Sequence, residues 1–124
     1  MVALSTIASQ QTEVTKDTMK RVIHLLDYLA SHPNPVVRYH ASEMILNIHS
    51  DASYLSETKS RSRSGGYYFM GSVPKKRQEI RINGNIFVAT GILKIVVCSA
   101  AEAKLGALFL NLKEGKFYAL YLKK

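Results

Sequence analysis

The sequence predicts a mixed α/β fold, in which antiparallel strands are packed by a helix and preceded by an N-terminal helix. Three observations carry that reading: a helical apolar repeat ahead of a proline pair, an alternating stretch around Asn83-Gly84, and a helix start at Ser99. With 124 residues, 47% of them hydrophobic, the chain can bury one modest core plus an appendage. The expected division is residues 1–35 as helix and connector and residues 36–124 as the main domain.

Residues 15–31 form the first element. Thr15 can cap it, Asp17 suits the positive end of the helix dipole, and Met19, Val22, Ile23, Leu26 and Leu29 recur at helical spacing. His32-Pro33-Asn34-Pro35 ends it, because a proline disfavours helix in the residue before it. Met44 to His49 then reads as a strand delivering Asp51 at its end. Leu55 to Gly66 is polar and basic, with Lys59, Arg61 and Arg63 among serines, and reads as an exposed turn or strand rim.

Tyr67 to Met70, bracketed by glycines, is a second strand. Adjacent strand residues face opposite sides, so core packing is the expected fate of Tyr67, Tyr68 and Phe69 rather than base stacking. Pro74-Lys75-Lys76-Arg77 is a solvated loop. Glu79 to Ile82 and Asn85 to Val88 are expected to pair across Asn83-Gly84, a dipeptide that tolerates the positive φ angles of a two-residue turn.

The last helix should begin at Ser99, whose spacing to Glu102 is that of a capping box. Leu105, Leu108, Phe109 and Leu112 are its expected buried stripe, and Gly115 a candidate interruption. The aromatic end, Phe117 to Leu122, has little sequence left to pack under it.

A net charge of +8 favours polyanionic partners. Lys59, Arg61 and Arg63 are the first candidates for phosphate contact, and Lys75, Lys76 and Arg77 the second, the alternative in each case being a solvated surface. Cys98 is the only cysteine, which excludes an intramolecular disulfide; its apolar neighbours Ile95 to Val97 imply a buried thiol in a reducing compartment. There is neither a secretory leader pattern nor a run of about 18 apolar residues, so a soluble, intracellular protein without a membrane partner is expected. His24, His32, His40 and His49 lack ligand spacing, and His49 reads as an ordinary half-buried or exposed strand residue. Ser99 has no triad partners.

The order of these segments, helix, proline connector, Ser50-Asp51-Ala52, Ser64-Gly65-Gly66-Tyr67, hairpin and Ser99-Ala100-Ala101-Glu102-Ala103, resembles the C-terminal part of copia-type retrotransposon polyproteins. There a ribonuclease H domain follows the reverse transcriptase. Val2 to Ser5, Lys20-Arg21-Val22 and Tyr28-Leu29 are similar to the tail of the polymerase portion. The resemblance implies a ribonuclease H-like fold and an ancestral chemistry of RNA–DNA hybrid hydrolysis, in which four carboxylates hold two Mg²⁺ ions.

Taken alone, Asp51 is an ordinary turn-capping aspartate; the resemblance makes it the family's first metal ligand, on the first strand. The family's second carboxylate precedes a hydrophobic-x-Ala triplet on the first helix, here Leu105-Gly106-Ala107, so Lys104 stands in its place. Glu102 lies about 200° around the helix from Lys104 and is explained as a cap. An ammonium at Lys104 would repel the cations. The third and fourth family carboxylates fall beyond Lys124. The expectation is a truncated, degenerate, inactive ribonuclease H-like fragment that does not hold Mg²⁺ productively. It would keep weak contact with RNA–DNA hybrid or other nucleic acid, and self-associate through an uncovered sheet edge. Two alternatives stay open: a basic nucleic-acid-binding module without catalysis, and an active ribonuclease H completed by downstream sequence.

Overall fold

The computed structural model describes residues 2–74, 76 and 78–122. Contacts divide the chain into two units, Met1–Val36 and Val37–Lys124. The expectations for Lys75, Arg77, Lys123 and Lys124 lie outside the described residues.

The first unit holds α1 (Val2–Ala8) and α2 (Lys16–Ser31). Thr15 caps α2 by a reciprocal pair: its hydroxyl accepts from the Thr18 N–H at 3.2 Å, and the Thr18 hydroxyl accepts from the Thr15 N–H at 3.3 Å. Threonine thus does the work usually given to Glu or Gln at that position. The His32 N–H closes the far end on the carbonyls of Tyr28 and Leu29, immediately before the first proline. Met19, Ile23, Leu26 and Leu29 of the apolar repeat are all more than half exposed. Helix α1 has neither an acidic first turn nor a basic last turn, and nothing in its sequence marks it as a helix in advance.

The second unit is a mixed α/β layer pair. Strands β1 (Ile45–Glu57), β2 (Arg61–Gly71) and β3 (Asn85–Ile92) form an open antiparallel sheet in the order β1-β2-β3, and α3 (Ala100–Tyr121) packs on one face. Ser50 pairs with Gly66 and Asp51 with Gly65. The strands are longer than the sequence indicated. Residues 55–66, expected to be exposed turn or rim, instead finish β1, turn tightly over Thr58–Ser60 and begin β2. Lys59 and Ser60 take the turn's left-handed backbone, at φ 61° and 52°.

The expected hairpin across Asn83-Gly84 does not form, and β3 pairs with β2 instead. Asn83 is buried, and its side chain is fully engaged. Its amide donates to the carbonyls of His40 and Met70, both at 2.8 Å, and its oxygen accepts from the His40 N–H at 2.7 Å. That side chain ties the 38–40 segment to the end of β2. Gly84 has no positive φ; a Cβ there would stand 2.7 Å from the Tyr39 ring, so close approach rather than turn geometry requires the glycine.

Helix α3 inverts the expected burial. Leu105, Leu108, Phe109 and Leu112 are 41–68% exposed, while Ala103, Ala107, Asn111 and Gly115 face the sheet. Small residues at four-residue spacing let the helix backbone lie close to β1 and β2. The helix runs through Gly115 without interruption, and the close approach of Ile48, which a Cβ there would strike, requires the glycine. Its aromatic end also finds partners: the Tyr118 ring lies 5.8 Å from Tyr68 and 4.9 Å from Phe87. Cys98, expected to be buried, is exposed, since the chain leaves β3 before it and of residues 93–98 only Leu93 goes into the core.

Tyr68 and Phe69 are fully buried on opposite faces of β2. The Tyr68 hydroxyl donates to the carbonyl and side-chain oxygens of Asn111, at 3.0 and 3.1 Å. The Asn111 amide donates to the Ser50 hydroxyl at 2.7 Å and the Gly65 carbonyl at 2.9 Å. Phe69 packs under the rings of Tyr67 and His49. No helix among the described residues is long and apolar enough to cross a membrane.

A Cβ at Gly66 would meet the side-chain oxygen and carbon of Asn111 and the Tyr68 ring, all under 3 Å. Those groups are buried and hydrogen-bonded. Gly66→Ala is therefore expected to destabilise the protein by about 1–3 kcal/mol in urea unfolding; unchanged stability would mean that Asn111 has room to move.

Candidate functional site

Asp51 and Lys104 come together from different elements. Asp51 sits in the middle of β1 rather than at its end, and strand alternation turns it away from Ser50, the neighbour that α3 meets. Because β1 is an edge strand, that side of the carboxylate is open, and the side chain is 82% exposed. Lys104, in the first turns of α3, reaches it with Nζ 3.7 Å from Oδ1. The pair is solvent-exposed and contributes about 0–1 kcal/mol to stability. Its importance is in its sign: an ammonium lies beside the carboxylate.

Glu102 is part of the helix cap. Its N–H is bound by the Ser99 hydroxyl at 3.1 Å, and its carboxylate accepts from the Cys98 N–H at 2.6 Å, one residue earlier than in the expected capping box. It is not turned toward Asp51 in any hydrogen bond or ion pair among the described residues.

These residues do not fit a magnesium centre of the ribonuclease H type. One carboxylate is present with an ammonium beside it, and no cluster of three His, Cys, Asp or Glu side chains able to hold a metal occurs among the described residues. A divalent ion about 4 Å from that ammonium would be opposed by about 2 kcal/mol even at the dielectric constant of water. His49, as expected, is an exposed strand residue, its ring edge-on to Phe69.

Of the three expected phosphate contacts, Lys59 and Arg61 are exposed at the β1–β2 turn. Arg63 is not: it is 4% exposed, its Nε donates to the Glu57 carboxylate at 2.6 Å, and Nη1 lies 3.4 Å from the Thr90 hydroxyl. The register that pairs Glu57 with Arg61 and Arg63 with Ser53 and Ile92 carries this arginine into the sheet. The hydrogen bond from Arg63 holds the Glu57 carboxyl below its ordinary range, against the opposing effect of burial. Burial, foremost, pushes the Tyr68 hydroxyl up.

Charge is unevenly distributed. Residues 1–36 carry three Lys or Arg against three Asp or Glu, and residues 37–124 carry fourteen against six, so the whole net charge of +8 belongs to the second unit. Lys76 adds an exposed cation to that unit.

Two features of the folded chain, the buried Asn111 and the Glu57–Arg63 ion pair, go beyond what the sequence indicates. Asn111 is the one polar side chain on the buried face of α3, and the signal was its four-residue spacing from Ala103 and Ala107. The Glu57–Arg63 pair had no such signal, because it is created by strand register.

Comparison with family models, with curated proteins and with solved structures returns no match.

Because the folded Glu57 carboxyl has a lowered pKa, its pairing with Arg63 stabilises fully above about pH 4.5 and is lost as pH falls through the depressed folded value. Glu57→Gln, which cannot titrate, is expected to flatten that acid limb in urea unfolding between pH 5 and pH 3; an unchanged slope would contradict the assignment. The Tyr68 shift runs the other way, its contribution being lost only above pH 10.

Proposed function

We propose that this chain is a ribonuclease H-like module of a retroelement reverse transcriptase polyprotein that no longer hydrolyses RNA–DNA hybrid and retains nucleic-acid contact. The observation that carries the reading is the 3.7 Å approach of Lys104 to Asp51. The resemblance assigns these two positions to the first strand and first helix of the family's metal site. They are neighbours in space, as two ligands of one site must be, but one of them is a cation. Water activation by a two-metal centre needs both positions to supply negative charge. With an ammonium in one, Asp51 is a salt-bridge partner and the chemistry is lost.

Nucleic-acid contact is supported by the concentration of charge. Fourteen basic residues fall in the second unit, and Lys59 and Arg61 project from the β1–β2 turn. Cations of this kind contact phosphate without reading sequence. The alternative of a basic binding module with no enzymatic ancestry rests on the same surface.

The test uses a labelled RNA–DNA hybrid. No cleavage is expected with Mg²⁺ or Mn²⁺, and binding should weaken steeply as salt rises. Lys59→Ala and Arg61→Ala should each lower the slope of log K against log salt by about 1. Metal-dependent turnover abolished by Asp51→Asn would contradict the inactive assignment, and affinity independent of salt would contradict phosphate contact.

A further inference from the structure

We propose that the face of the sheet turned away from α3 takes a single-stranded nucleic acid, one of whose bases lies flat over Gly65. The inference rests on the nucleic-acid contact proposed above and names its form. Gly66 and Tyr68 meet Asn111 of α3, so strand alternation turns Gly65 and Tyr67 to the other face. Gly65 stands mid-strand in β2, the central strand, paired with Asp51 on one side and Thr90 on the other. None of the ordinary reasons for a glycine applies to it. Its φ is not positive, and the irregularities of register fall elsewhere in both ladders. A Cβ there would meet only the Asp51 carbonyl oxygen, at 3.9 Å, among the described residues. Gly66 is the contrast, since a Cβ there runs into Asn111, and Gly91, equally open, lies at the end of an edge strand. A glycine inside a strand that no contact of the fold requires marks close approach by another molecule.

The surroundings of Gly65 are those of a base platform. The next row on this face pairs His49 with Tyr67, which is half-buried and bound through its hydroxyl to the Asn83 carbonyl at 2.9 Å. A base over Gly65 rests beside that aromatic row, an arrangement open to any base because each has a π-face. Asp51 and Thr90 stand at its two sides, a carboxylate that accepts from a base N–H and a hydroxyl that donates or accepts. Arg61 lies four residues along the same alternation of β2, about 13 Å away at the strand rise, with Lys59 in the turn beyond, both exposed. A backbone continuing from the base toward the turn meets these cations. In a duplex or hybrid each base is stacked between its neighbours and cannot lie on a sheet, so the occupant is a single strand.

Fluorescence anisotropy of the full chain with two labelled strands, oligothymidylate and an abasic strand carrying the same phosphates, tests the proposal. The base-bearing strand is expected to bind about tenfold more tightly, at an equal slope of log K against log salt. Gly65→Val should abolish that preference and leave stability in urea unchanged or raised, since no protein contact needs the glycine. Gly65→Ala, which adds only the Cβ, should lower the preference in part, and it decides the matter where valine is not tolerated. Lys59→Ala should lower the salt slope for both strands and keep the preference. Equal affinity for the two strands, an unchanged preference in the folded Gly65 variant, or a Gly65→Ala chain that unfolds would overturn this proposal alone. Binding of neither strand, or affinity independent of salt, would overturn the nucleic-acid reading together with it.

Discussion

The buried amide of Asn111 ties α3 to β1 and β2. It donates to Ser50 on β1 and to the Gly65 carbonyl on β2, and its oxygen accepts from the Tyr68 hydroxyl. A buried amide with both donors and its acceptor used fixes rotation as well as distance, because any other orientation leaves several polar groups unpaired in the core. Lys104 lies seven residues earlier, two turns along nearly the same line of the helix. From there its side chain reaches the Asp51 carboxylate, exposed on the edge strand, with Nζ 3.7 Å from Oδ1. The same rotation turns Ala103, Ala107 and Gly115 inward and the large apolar residues outward.

That outcome explains which parts of the fold were legible in the sequence. The start of α2 at Thr15, the start of α3 at Ser99 and the Tyr67–Met70 strand were readable because capping chemistry and aromatic clustering act locally. The buried face of α3 was misread because hydrophobicity ranks leucine above alanine and glycine, whereas a helix lying close on a sheet needs side chains that take up no room. Asn83-Gly84 was misread for a related reason. Its turn propensity is a property of the dipeptide, but the Asn83 side chain is committed to His40 and Met70, contacts that only the fold creates.

The candidate site divides in the same way. Asp51 and Lys104 were singled out by the resemblance alone, whereas the capping role of Glu102 follows from its spacing to Ser99. Arg63 was placed on the surface with Lys59 and Arg61, since a run of alternating basic and serine residues carries no mark of which one the strand register will bury. The two ion pairs differ in kind. Arg63 with Glu57 is sheltered, so removing either partner strands a charge. Lys104 with Asp51 is open to water and matters to divalent cations more than to folding.

The proposed function requires that Lys104 stand where a metal-holding carboxylate would need to be. Paramagnetic broadening by millimolar Mn²⁺, read residue by residue in amide NMR spectra of the native chain and of Lys104→Glu, tests it most directly. The account predicts no selective broadening around Asp51 in the native chain, and selective broadening of the residues around positions 51 and 104 once the ammonium is replaced by a carboxylate. Equal Mn²⁺ binding at Asp51 in both proteins would contradict it.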